Sequence, residues 1–137
     1  MYNILLTSHS ELCIGLLQAA QMILGDTDEV EYVVLDETGI DNFTKKLDEK
    51  ISLLASDDKE LLILVDIFGG TPFNQSMIRA QKQENIRVVS GVNLAMVIEA
   101  IMNKNKEIDE ALNNIISSTK ESIVQGIICR EQLEANE

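Results

Sequence analysis

The 137-residue chain has no tryptophan, one proline, one histidine and two cysteines, and only 11 lysines and arginines against 23 aspartates and glutamates. The shortage of cations leaves a formal charge of −12. A surface of that sign repels phosphate backbones and anionic lipid, which excludes nucleic acid as a partner. The two cysteines, Cys13 and Cys129, lie far apart among apolar neighbours. They form no C-x-x-C pair and read as reduced core thiols. No stretch approaches the ~18 apolar residues of a membrane span. The N-terminal apolar run is short and has no basic segment before it, so neither a secretory signal nor membrane insertion is expected, and the chain reads as cytoplasmic. One histidine without clustered cysteines cannot build an ordinary zinc site, so no metal is expected. Any histidine chemistry has a single address, His9.

What is present is enough apolar material, 45% of residues, for a core of its own. The length fits one domain, 1–137, with no repeat or linker. Short apolar runs alternate with longer amphipathic ones. Strands are expected at 2–7, 30–35, 61–65 and 86–90, and a last one at Ile123–Cys129. Helices are expected over 11–24, from Asp41 or Asn42 through Leu54, over 71–83, 94–103 and 108–122. Phe43, Leu47, Ile51 and Leu54 form the apolar face of the second helix. Thr71-Pro72 reads as an N-cap followed by a proline at the first helical position, and Ser8 or Ser10 as a cap for the first helix. The alternation predicts an α/β domain: a doubly wound, mainly parallel sheet with helices on both faces.

Ligands of such sheets bind at the carboxyl ends of strands, where the strand order reverses. Three segments stand there: Ser8-His9-Ser10, Asp66 to Asn74, and Gly91-Val92-Asn93. Alone, His9 is as readily a structural residue, and Asp66 a solvated strand end. Together they suit one another. A carboxylate that accepts from Nδ1–H fixes the imidazole tautomer and leaves the Nε2 lone pair free. Gly69 and Gly70 let backbone amides approach a ligand, and the helix N-terminus that follows favours an anion. The segment is neither a Walker A loop nor a dinucleotide fingerprint, and no G-x-S-x-G elbow supports a hydrolytic triad through Ser8 or Ser10.

Leu64-Val65-Asp66-Ile67-Phe68-Gly69-Gly70-Thr71-Pro72-Phe73-Asn74, with His9 behind the first strand and Gly91-Val92-Asn93 behind the fourth, resembles the IIA domain of the mannose-family sugar phosphotransferase system. The likeness runs over essentially the whole chain. It implies that His9 takes a phosphoryl group from phospho-HPr and passes it to a IIB protein, here expected to be separate. IIB then phosphorylates a sugar carried by the membrane components IIC and IID. It also implies a homodimer in which Ile123–Cys129 is exchanged between subunits. Members often have glycine after the active histidine, where this chain has Ser10.

On this reading His9 and Asp66 are catalytic, and Gly69, Gly70, Thr71 and Phe73 hold the phosphoryl oxygens. Ser10, Phe68 and Asn74 support the turn or meet the partner. No cofactor is required, because the donor is a phosphoprotein. Two rivals use the same residues differently. One is the IIA-like phosphocarrier of a dihydroxyacetone kinase system, with His9 but another acceptor. The other is a receiver-like signalling module phosphorylated on Asp66, which would need an acidic pair where Ser8-His9-Ser10 stands.

Overall fold

The computed structural model describes residues 1–129. Four strands, β1 (Tyr2–His9), β2 (Glu31–Leu35), β3 (Glu60–Val65) and β4 (Ile86–Ser90), form a parallel sheet in the order β2-β1-β3-β4. Five helices connect and follow them: α1 (Leu12–Leu24), α2 (Ile40–Leu54), α3 (Thr71–Ala80), α4 (Leu94–Met102) and α5 (Ile108–Glu121). The expected α/β architecture is the one found. From β1 the chain moves one way to β2 and the other way to β3, so the strand order reverses between β1 and β3.

The sheet separates two cores. On one face Ile4 and Leu6 of β1 pack with Cys13, Leu17 and Ala20 of α1, and with buried residues of α4 and α5. On the other Leu5 and Ile63 pack with the predicted α2 face, Phe43, Leu47, Ile51 and Leu54, and with Phe73 and Ala80 of α3. Leu61, Leu62, Ile63, Leu64 and Val65 have no exposed surface, because both faces of this central strand are covered. That is why the run is aliphatic without alternation. Each such side chain contributes roughly 1.5–3 kcal/mol of burial, which makes β3 a rigid support for the loop at its carboxyl end.

Several helix starts differ from expectation. Thr71 is the first residue of α3 rather than its cap; extended Gly70 occupies the cap position. Gly39, at φ 100°, precedes α2, and neither Asp41 nor Asn42 caps it. The residue before α1 is Glu11, yet the Ser8 hydroxyl still caps the helix by accepting the first-turn amide of Cys13 at 2.9 Å. The α3 helix also ends at Ala80, earlier than Gln83. Of the two cysteines Cys13 is buried, as expected, while Cys129 is exposed.

The expected last strand is not formed within the chain. Residues 123–129 have no regular secondary structure, and Ile123, Val124, Ile127 and Ile128 are exposed. A strand requires a neighbour for its backbone groups, and this segment pairs with none of the four. Among the described residues no helix is long and apolar enough to cross a membrane.

Candidate functional site

His9 is the last residue of β1, and Asp66 directly follows β3, so the pair straddles the point where strand order reverses. One oxygen, Asp66 Oδ2, accepts from the His9 amide at 2.9 Å and lies 2.8 Å from His9 Nδ1. The other, Oδ1, accepts the Ile67 amide at 3.0 Å. Burial works against ionisation of Asp66, but the His9 amide, the His9 ring and the Ile67 amide outweigh it and hold its pKa below the ordinary carboxylate range. An ionised Asp66 only accepts, so Nδ1 carries the proton in this contact. In the neutral form of the ring this tautomer leaves Nε2 bare. The Asp66 side chain is 10% exposed and that of His9 50%, so the carboxylate is enclosed while the ring is open to solvent.

Gly70 lies against the Cε1 and Nε2 atoms of the ring. A Cβ there would sit 3.0 Å from His9 Cε1, 3.0 Å from Ile67 Cγ2 and 3.7 Å from His9 Nε2. Close approach therefore requires this glycine, whose own φ of −78° is ordinary. Gly69 is required for a different reason, a φ of 81°. The first backbone bond of α3 runs from the Asn74 amide to the Gly70 carbonyl at 2.9 Å. The Thr71 and Phe73 amides upstream of it have no partner within the helix, and Pro72 has no N–H to offer. The Asn74 side-chain amide donates to the Gly69 carbonyl at 3.0 Å, so Asn74 braces the turn.

Ser10 has φ 52°, the left-handed region, and it is the only non-glycine residue with positive φ among those described. This conformation costs an ordinary L-residue ~1–2 kcal/mol and glycine far less, which supplies a physical reason for glycine after the histidine in proteins of this type. Phe68 is 76% exposed. Its ring lies 4.9 Å from that of Phe73, which is anchored on the second core. The Gly91-Val92-Asn93 segment turns out to be structural. Val92 is buried, its amide bonds to the Val65 carbonyl at 3.0 Å, and Asn93 caps α4 by accepting the Met96 amide at 2.9 Å.

The structure also adds residues that sequence reasoning passed over. A groove beside His9 and Thr71 is lined by Glu11, Asp36, Glu37 and Ile40, and by no lysine or arginine. Asp36 and Glu37 follow β2, whose carboxyl end obeys the same strand-end rule as the other three. Among the described residues no cluster of His, Cys, Asp and Glu is arranged to hold a metal ion. Both Asp66 oxygens are taken by N–H donors, an arrangement unlike an open acceptor carboxylate.

Two measurements check this geometry. Because the folded pKa of Asp66 is lowered, its ionic contribution to stability is complete above about pH 4, the unfolded value, and is lost as pH falls below it. Urea midpoints of Asp66→Asn and the parent should therefore differ at pH 5 and converge towards pH 2.5; a gap independent of pH contradicts the lowered pKa. Ser10→Gly removes the left-handed strain but adds unfolded-state entropy, for a net stabilisation of about 0.5–1 kcal/mol. Thermal unfolding should shift upwards by roughly 2–4 °C, whereas a lower midpoint would show that Ser10 makes a compensating contact.

Residues 3–116 match the EIIA-man family model, described as the PTS system fructose IIA component. The chain is 26% identical over 136 residues to the PTS system fructose-specific EIIA component of Bacillus subtilis (strain 168), covering 98% of this chain and 90% of that one. It is 28% identical over 126 residues to the PTS system mannose-specific EIIAB component of Escherichia coli (strain K12), covering 90% of this chain but 38% of that longer protein. The mannose/sorbose-specific IIA subunit from Enterococcus faecalis superposes with a TM-score of 0.84 at 27% identity, over 93% of this chain and 96% of that one. A family match across most of the chain, on the fold that carries the His9–Asp66 pair, settles the membership: this chain belongs to the EIIA-man family of phosphotransferase-system IIA components.

Proposed function

We propose that the chain is a phosphoryl carrier of a mannose-family sugar phosphotransferase system, with His9 accepting phosphate from phospho-HPr and delivering it to a IIB domain. The observation that carries the reading is the 2.8 Å contact between Asp66 Oδ2 and His9 Nδ1, with Gly70 close against the Cε1–Nε2 edge of the ring. In the reaction the Nε2 lone pair attacks phosphorus. The phosphorus–donor bond breaks and its electron pair returns to the donor. When the ring is neutral no proton has to leave His9 first, so the chemistry reduces to positioning and charge. Positive charge growing on the imidazole is stabilised by Asp66. The Thr71 and Phe73 amides, the approach permitted by Gly69 and Gly70, and the positive end of α3 support the phosphoryl oxygens.

The acidic groove has a corollary. A phosphoryl group adds up to two negative charges beside Glu11, Asp36 and Glu37. Balancing cations then come from the docked partner, whose basic groups face this site. Phe68 and its neighbour Ile67, 56% exposed, offer apolar contact at the same rim. A dimer formed by exchange of residues 123–129 is part of the proposal. Its support is the exposed Ile123, Val124, Ile127 and Ile128 together with the apolar groove of Phe68, Phe73, Val88 and Val89 beside the open edge of β4.

Incubation with phosphorylated HPr should place acid-labile, alkali-stable label on His9. Label that persists in His9→Ala refutes the assignment, and alkali-labile label would point to a carboxylate acceptor instead. Gly70→Ala places a methyl 3.0 Å from the ring, which must give way by a few tenths of an ångström, and should slow labelling by about tenfold, while leaving the thermal unfolding midpoint within a few degrees. Labelling at the parental rate would remove the close approach from the mechanism.

A further inference from the structure

We propose that Ser8 is a positioning residue for phosphoryl transfer, acting through the turn that carries His9; this rests on His9 being the phosphoryl acceptor. Ser8 is fully buried immediately before the half-exposed His9. Its hydroxyl makes two bonds at once. Oγ donates to the Ser10 carbonyl at 3.1 Å and accepts the Cys13 amide at 2.9 Å. The Ser10 amide in turn donates to the Leu35 carbonyl at 2.7 Å. These bonds tie the end of β1 to β2 on one side and to the first turn of α1 on the other.

The clamp encloses the strained residue of the site. A non-glycine residue keeps a left-handed φ only where its surroundings over-determine it. Here the peptides on both sides of Ser10 are held, through its N–H and its C=O, and Ser8 supplies the only side-chain bond made to Ser10 among the described residues. The strain matters to chemistry because His9 and Ser10 share a peptide. Asp66 Oδ2 accepts both the His9 amide and Nδ1, so a turn that relaxes shifts the amide and the ring relative to one oxygen. Without the hydroxyl, the Ser10 carbonyl and the buried Cys13 amide lose their side-chain partner. Relaxation of the turn then weakens the bond that fixes the imidazole tautomer.

A plain helix-capping role would lower stability and leave the His9 ring unchanged. The decisive readout is therefore the ring itself, followed by ¹⁵N NMR of the histidine-labelled full chain. The parent should show Nδ1 protonated and Nε2 bare. Ser8→Ala should shift the population towards Nε2–H and slow transfer from phospho-HPr about tenfold. Ser8→Thr, which restores the hydroxyl, should recover both; Ser8→Val, which matches threonine in shape without the hydroxyl, should recover neither. Parental ring signals and a parental rate in folded Ser8→Ala or Ser8→Val overturn the proposal, as does a Ser8→Thr variant no better than Ser8→Val. If the parent itself takes no label on His9, the phosphoryl reading fails, while the tautomer comparison still decides whether Ser8 orients the ring.

Discussion

The site depends on one carboxylate oxygen. Asp66 Oδ2 accepts the backbone amide of His9 and faces its Nδ1, so the end of β1 and the loop after β3 meet at a single atom. Such an arrangement is available only where two parallel strands end side by side and their connections diverge, which is the position of β1 and β3 in the order β2-β1-β3-β4. The pairing of Thr7 with Val65 is the last between β1 and β3 and aligns His9 with the loop that begins at Asp66, and the buried run Leu61 to Val65 keeps that register from slipping. The aliphatic run of β3 thus has a chemical consequence: it fixes the donor–acceptor distance at the site.

Around that contact each local irregularity has a separate physical cause. Gly70 suits its place because a Cβ there would crowd the ring at 3.0 Å, and Gly69 because the backbone turns through positive φ. Asn74 ties the turn back to Gly69 from inside the helix. Ser10 holds a left-handed conformation that its side chain does not favour, and Ser8 fastens both the carbonyl of that residue and the first turn of α1. The left-handed kink, the tight glycine turn and the shared carboxylate converge on one imidazole, and strain in a folded domain gathers where geometry is functional.

Much of this was legible in the sequence. Periodicity gave the four strands and five helices, because β3 is aliphatic where both faces are covered and α2 repeats its apolar residues at helical spacing. The pairing of His9 with Asp66 followed from the strand-end rule together with imidazole chemistry. Helix caps were less legible. Thr71 and Asp41 are good caps in isolation, but Gly70 and Gly39 hold those positions because the preceding turns need a close approach in one case and positive φ in the other. The left-handed Ser10 was hidden, since no local preference of serine announces it. Residues 123–129 carry a strand composition without a strand, because pairing partners are a property of the assembly rather than of the segment. The acidic groove was missed although Asp36 and Glu37 stand at a strand end.

That acidity bears on what a carrier must do. A protein that receives a phosphoryl group and gives it away gains nothing from binding the phosphorylated state tightly, since an interaction equal in ground and transition states only deepens the trap. A lysine beside His9 would be such an interaction. The groove is instead lined by Glu11, Asp36 and Glu37, while Gly70 lies close to the ring and leads into the amides that open α3. Fixed dipoles orient phosphoryl oxygens with less attraction than a full cation. Counter-charge brought by a docked partner would, in the proposed role, be present during transfer and depart with it. In the proposed role, the chain's shortage of cations keeps the phosphoryl group transferable in both directions.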